Sequence, residues 1–335
     1  EEASPWDAAH PAPHGDQVGD AHERDVLEWM ARDAEGQLRQ LDPVDEARLE
    51  QFHEVVGGAF DVILGRRLDG VGSVSFEQTG AREARGATLR LGLLRHEALG
   101  EELPTAVLEP RGERERGVVL WIHEDGWRGL FTREAEPARD VRRLLRAGFT
   151  VAGVDLLLQG ELRSPNHDPA IGRTRAPRLC RQDCSQGWHQ AGVYTSGYNP
   201  ALFAQRVHDV LTAIRHFKDQ GAGVHLIGLG PVAGPLVAAA RAQSGGALAR
   251  VAVGTGGFRF AALDRLDDPM LLPGAAKYLD LPGLLALGEG ELWLGGEGDA
   301  APPLVVHADQ ARHRTNALHV HGGQSKAAAV VDWLL

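Results

Sequence analysis

The run from 223 to 243, GVHLIGLGPVAGPLVAAARAQ, constrains the fold more than any other part of the chain. Residues 224–229 form a near-continuous apolar stretch, as strands covered on both faces do. A glycine turn follows at Gly228-Leu229-Gly230, and then an alanine-rich segment of high helix propensity. A buried strand feeding straight into a helix belongs to a crossover unit, and repeated crossovers build a parallel sheet covered on both sides. The turn is equally informative for what it omits. A sharp strand-to-helix turn of the form Gly-x-Ser-x-Gly seats a nucleophile where a fold uses one. Here the central position is Gly230, and no Ser, Cys, Thr, Asp or Glu occurs from Leu226 to Gln243.

Reading outward gives the rest of the order. Residues 1–20 are rich in Pro, Ala and polar residues without periodicity, which predicts an irregular arm suited to lying on a partner chain. Helical spacing follows over 21–40 (Val26, Leu27, Met30, Leu38) and 43–64 (Leu49, Phe52, Val55, Val56, Phe60, Ile63). Asp42 before Pro43 reads as the start of the second helix. The period then becomes two, predicting antiparallel strands at 71–78, 87–97 and 103–110. Buried strands are expected at 117–124, 149–155, 223–229, 250–255, 291–296 and 317–321. Helices are expected between them at 134–147, 200–219 (opened by Asn199-Pro200), 233–243 and 301–312, with a last one at 324–335. This is an α/β chain with a mostly parallel central sheet, helices on both faces and a helical N-terminal segment. Its parts are an arm at 1–20, a helical segment at 21–66 packed on the main domain, and the main domain at 67–335 with insertions at 156–197 and 256–288.

Composition removes several classes of function. The formal net charge of -11 offers no basic footprint for nucleic acid. No run approaches the ~18 apolar residues of a membrane span. Cys180 and Cys184 lie close together in RLCRQDCSQGWH, where a small disulfide loop, free thiols and a metal pair with His189 all remain open. Two thiols and one histidine fit no standard zinc spacing, so neither metal nor cofactor is expected. Gly228-x-Gly230-x-x-Ala233 also matches a dinucleotide fingerprint. The next strand, however, ends Val253-Gly254-Thr255-Gly256-Gly257 without the acid that would hold a ribose, and Pro231 removes one amide from the turn.

Five segments carry a resemblance to a known family: WIHEDGWRGLF (121–131), GVDLLLQGEL (153–162), SGYNPALFAQRVHDVLTAI (196–214), VHLIGLGPVAGPLVAAARA (224–242) and LPGAAKYLDLPGLLAL (272–287). From about residue 45 to its end the chain resembles bacterial α/β-hydrolases of the acetyl xylan esterase and dienelactone hydrolase group. Within that group it is similar to the nucleophile-lacking domains found behind active-looking esterase domains in large secreted bacterial proteins. The resemblance implies the α/β-hydrolase fold and a catalytic order of nucleophile, acid, base at successive strand ends. It places the acid at Glu297 or Asp299 and the base at His319 or His321, with Gly230 where the serine would stand. The loop His123-Glu124-Asp125-Gly126-Trp127 resembles the oxyanion loop of esterases. Asp155 ends the next strand beside Gln159, Gly160 and Glu161 and faces the same mouth, though a carboxylate there suits capping of loop amides better than catalysis.

Three functional readings follow. The leading one is an esterase-like pseudoenzyme acting in binding or assembly, in a secreted or periplasmic setting. Its partner would be another protein, an active hydrolase among the candidates, or a second copy of itself. Its pocket (His123, Asp125, Trp127, Asp155, Gln159, Glu161) would take a carbohydrate or small ester. The second is an active acyl or carbohydrate esterase that activates water or draws a nucleophile from Ser164, Ser185, Tyr194, Thr195, Ser196 or Tyr198. The third is a nucleotide-binding module at the glycine turn.

Overall fold

The computed structural model describes residues 20–112, 116–132, 136–162, 199–221, 223–265, 268–313, 317–323 and 325–335. The arm up to residue 19, both cysteines and the six loop candidates for a nucleophile lie outside the described residues. The chain divides into two compact units, with the break between Leu41 and Asp42. The first contains helix α1 (Asp20–Arg39), whose polar face carries the i,i+4 pairs Asp33–Gln37 and Glu35–Arg39.

The second unit opens with α2 (Glu46–Phe52), a π-helical turn (His53–Gly57) and α3 (Gly58–Leu64). Phe52, Val56, Phe60 and Leu64 are all buried. At 3.6 residues per turn, a strict four-residue repeat drifts around an α-helix. The wider π turn takes up that drift and keeps the four side chains on one face. The expected start at Asp42 is displaced. Asp45 caps the helix instead, its carboxylate accepting from the Arg48 amide, while Asp42 bonds the His307 ring at 2.8 Å.

Nine strands form one sheet: β1 (Ser75–Ala84), β2 (Ala87–His96), β3 (Glu101–Pro110), β4 (Val118–Ile122), β5 (Thr150–Val154), β6 (Val224–Leu229), β7 (Leu248–Gly254), β8 (Glu291–Gly295) and β9 (Leu318–His321). Their spatial order is β1-β2-β3-β5-β4-β6-β7-β8-β9. The pairings from β1 through β3 to β5 are antiparallel, and those from β5 onward are parallel. The first strand lies later than its sequence pattern suggests and carries a bulge between Gln78 and Gly80. Such a bulge breaks the alternation from which a strand is read.

The crossover helices are α4 (Arg139–Arg146), α5 (Leu202–Asp219), α6 (Gly230–Ala242), α7 (Asp280–Leu287), α8 (Pro303–Ala311) and α9 (Ala327–Leu334). Helices α4 and α9 close one face over Val119, Trp121, Val151, Ile227, Ala252 and Trp293. On the other, α5 and α6 pack together over the central strands. Helix α5 begins after Ala201 rather than at Pro200, and α7 lies inside the insertion expected at 256–288. Helix α6 starts three residues earlier than predicted, because Pro231 falls in its first turn, where the missing amide costs no bond. Strands β4 to β8 all deliver their C-terminal ends to one edge, where open parallel sheets place their sites.

Candidate functional site

The elbow is built by close approach. Leu229 ends β6 in extended geometry, Gly230 turns with φ +93°, and α6 starts at once. A Cβ at Gly228 would stand 2.4 Å from the Ala233 carbonyl oxygen and 2.5 Å from Val237. One at Gly234 would stand 2.1 Å from the Gly254 carbonyl oxygen. Glycine at 228 and 234 therefore lets α6 lie directly on β6 and β7. Gly230 is different: a Cβ there would meet nothing within 4 Å. The turn has the positive φ of a strained elbow and open space above it, but no reacting atom.

The acid position after β8 is occupied, and its carboxylate is taken. Glu297 is buried, with 4% of its side chain exposed, and Arg259 pairs with both of its oxygens. The Thr255 hydroxyl, at the end of β7, donates to the same carboxylate at 2.5 Å. Glu297 holds Arg259 firmly enough to raise the guanidinium's pKa above its ordinary value. Asp299 lies farther along the loop and next to the last strand: a Cβ on Gly322 would stand 2.8 Å from its Oδ1.

The two histidines of β9 have separate commitments. His319 Nε2 meets Glu291 Oε1 at 3.1 Å, at the start of β8, and its ring packs against Trp333 of α9. His321 stacks on Trp293, with centroids 5.1 Å apart and planes 27° from parallel. It also lines a hollow of about 550 Å³ between the end of β9 and α9, with Lys326 and Asp332. Among the described residues, neither histidine bonds Glu297 or Asp299.

The loop after β4 is turned inward. The Asp125 amide donates to the His123 ring, the Gly126 amide to the His123 carbonyl, and the Trp127 amide to Asp155 Oδ1 at 2.9 Å. Those three amides thus face the protein, whereas an oxyanion hole needs amides facing the substrate. The Trp127 ring is a core side chain, packed edge-on to Phe131 with the Arg128 guanidinium 4.6 Å above it. The His123 ring fills the space that a side chain at Gly129 would need.

Asp155 ties this loop to the next one. It is fully buried, and its Oδ2 accepts from the Glu161 amide at 2.8 Å. A Cβ at Gly126 or Gly160 would stand 1.8 or 2.1 Å from its carboxyl group, so both glycines are required there. Burial pushes the Asp155 pKa up, against the two amides that favour its charge. Gln159 is buried with its Oε1 unpartnered, while the Glu161 carboxylate lies outside and faces Arg128. Sequence reasoning missed Thr255 and Arg259. The only signal was an arginine following the Thr-Gly-Gly end of β7, and nothing in that spacing points to Glu297.

Among the described residues no group of three His, Cys, Asp or Glu side chains could hold a metal ion. No helix there is long and apolar enough to cross a membrane.

The sheet order and the β6 elbow together define the α/β-hydrolase fold, and comparison with solved structures agrees. A protein from Bacteroides fragilis NCTC 9343 assigned as an acetyl xylan esterase superposes with a TM-score of 0.57 at 12% identity, over 83% of this chain and 76% of that one. A methylesterase superposes with a TM-score of 0.55 at 14% identity, over 90% of this chain and 67% of that one. A glucuronoyl esterase from Solibacter usitatus is similar at a TM-score of 0.49 and 14% identity, over 78% and 85%. At such identities the likeness is one of fold. No protein-family model matches the sequence, and comparison with curated proteins finds no match.

Proposed function

We propose that this chain is a non-catalytic member of the esterase-like hydrolases, working in binding or assembly rather than in ester hydrolysis. The observation that carries the reading is Gly230 itself: the elbow turn is intact, and it holds no group that could attack a carbonyl. The neighbouring acid supports it, because Glu297 is committed to Arg259 and Thr255. General acid–base assistance without a nucleophile contributes only ~10²–10⁴-fold. In this reading the mouth at the ends of β6 to β8 takes an acylated carbohydrate or small ester, and the protein acts outside the cytoplasm beside an active hydrolase.

The test is a serine-directed fluorophosphonate probe together with a panel of acetyl and methyl esters, applied to the wild-type chain and to Gly230→Ser. The wild type is expected neither to label nor to turn over above buffer. Gly230→Ser alone is expected to stay inactive, since no described contact brings His321 to an acid. Stoichiometric labelling of the wild type, or steady turnover abolished by His321→Ala, would overturn the reading.

A further inference from the structure

The sheet ends in β1 on one side and β9 on the other, and the two edges are built differently. An edge strand carries a row of backbone N–H and C=O groups that its own sheet does not take, which is a template for pairing with another chain. β1 is guarded. It bulges between Gln78 and Gly80 and carries Glu77, Arg82 and Glu83 along its length. β9 reads Leu318-His319-Val320-His321, with no Asp, Glu, Lys, Arg or Pro and an unbroken register on β8. Its Val320 is 41% exposed.

Beside this edge lies the hollow of about 550 Å³ between the end of β9 and α9. Its volume falls in the range of ~300–1,000 Å³ usual for ligand sites. His321 and Gly323 line it on the strand side, and Ala328 and Ala329 on the helix side. These small residues let an incoming backbone come close. Lys326 lines it where strand and helix meet and is exposed. Among the described residues no carboxylate pairs with Lys326. Asp332 lies six residues farther along, ~9 Å down the helix axis, and Arg143 already pairs with it.

We propose that the β9 edge and this hollow form a docking site for an extended peptide, which adds to the sheet as a further strand and sets its C-terminal carboxylate against Lys326.

Charge and direction select this occupant. The cation at one end of the hollow lacks a partner, while the acid at the other has one, so a negative group is drawn to the Lys326 end. That end adjoins the C-terminus of β9. A peptide with its carboxylate there runs parallel to β9 and continues the parallel order from β5 to β9. Its backbone takes the bonds that the edge offers, and alternate side chains fall on opposite faces of the sheet. His319 and His321 turn toward Trp333 and Trp293, so Val320 turns the other way and awaits an apolar residue on that face. β9 has four residues, a span of ~13 Å, which matches a peptide of about that length. This proposal does not depend on whether the mouth at β6 to β8 binds an ester.

Fluorescence anisotropy of the full chain tests it, with an N-terminally labelled peptide ending Ala-Gly-Val-Thr-Val-Val and a free C-terminus. Saturable binding is expected, together with at least tenfold slower hydrogen exchange over 318–323. Amidation of the peptide's C-terminus should weaken binding at least tenfold, the scale of one charge-assisted hydrogen bond. Lys326→Glu should do the same with an unchanged melting temperature, since the side chain is exposed. Absence of saturable binding would overturn the proposal, as would equal affinity for the amidated peptide or for Lys326→Glu. So would unchanged exchange over 318–323, or displacement by N-acetylvaline at equal concentration, which would reduce the hollow to a simple anion site. A chain that is dimeric without peptide and becomes monomeric in Lys326→Glu would also overturn it, making this edge an interface between copies.

Discussion

At the end of β6 the backbone has the shape of a hydrolase elbow and the side chain is missing. At the ends of β8 and β9 the side chains are present and their geometry is turned to other uses. Gly230 has a positive φ and open space above it, while Gly228 and Gly234 hold the helix against the sheet. Glu297, by contrast, lies beneath Arg259, His319 meets Glu291, and His321 stacks on Trp293. The comparison teaches that backbone and side chains of such a site are fixed by different forces. Close packing of α6 on β6 and β7 holds the elbow and needs no nucleophile. A carboxylate or an imidazole without a task at the mouth is held by whatever partner the neighbouring element offers.

The sharpest way to break this comparison is to add one methyl group at each glycine of the elbow. Gly228→Ala drives a Cβ into the Ala233 carbonyl and Val237. It should lose about 3 kcal/mol, the upper range for overpacking a tight contact. Gly230→Ala meets no atom and carries only the cost of a left-handed turn, about 1 kcal/mol. Denaturant midpoints at unchanged m-value measure both. Equal losses at the two positions would show that the turn, and not the close approach, holds the elbow.

The second prediction concerns the acid position. Glu297→Gln keeps the shape but removes the charge that faces Arg259. Breaking a buried ion pair costs ~3–5 kcal/mol when both partners are enclosed. Arg259 is 34% exposed, so solvent recovers part of that, and about 2 kcal/mol is expected. A neutral effect on stability would mean that Glu297 is not engaged as the geometry indicates and is available to the mouth.

Most of the scaffold was legible because it rests on local pattern. The apolar run of β6, the glycines behind it and the alternation of β2 and β3 are all visible along the chain. Segments where geometry departs from a regular period were less so. The bulge in β1 and the π turn at His53–Gly57 shifted or concealed boundaries. The capping of the second helix by Asp45 rather than Asp42 turned on His307, which is distant in sequence. The site was legible as positions and not as contacts. A carboxylate at a strand end beside two glycine turns suggests amide capping, and Asp155 accepts two loop amides. The Trp127 ring meets Phe131 and Arg128, close by in sequence, but the core it joins is completed by α4 and the sheet, so the local sequence does not distinguish a pocket ring from a core ring. The partners of Glu297 and His321 likewise come from the segment that follows β7 and from β8, and adjacency of strands is a property of the assembled sheet.

The smallest expected effect lies at His319, and it tests the β9 half of the comparison directly. Its imidazole is 38% exposed and meets a Glu291 carboxylate that also binds Arg250. Pairs this open to solvent contribute ~0–1 kcal/mol. The contact with Trp333 adds little, because the rings are tilted at 57° rather than stacked. His319→Gln keeps a hydrogen-bonding side chain in place and should lower stability by about 0.5 kcal/mol. His321→Ala removes a stacked ring from Trp293 and should cost about 1 kcal/mol beyond the area it exposes. The two histidines should therefore differ in stability and agree in having no effect on any ester turnover. If His319→Gln is the costlier change, the edge of the sheet is held by the Glu291 cluster. The stack on Trp293 would then be too weak to keep His321 from the mouth.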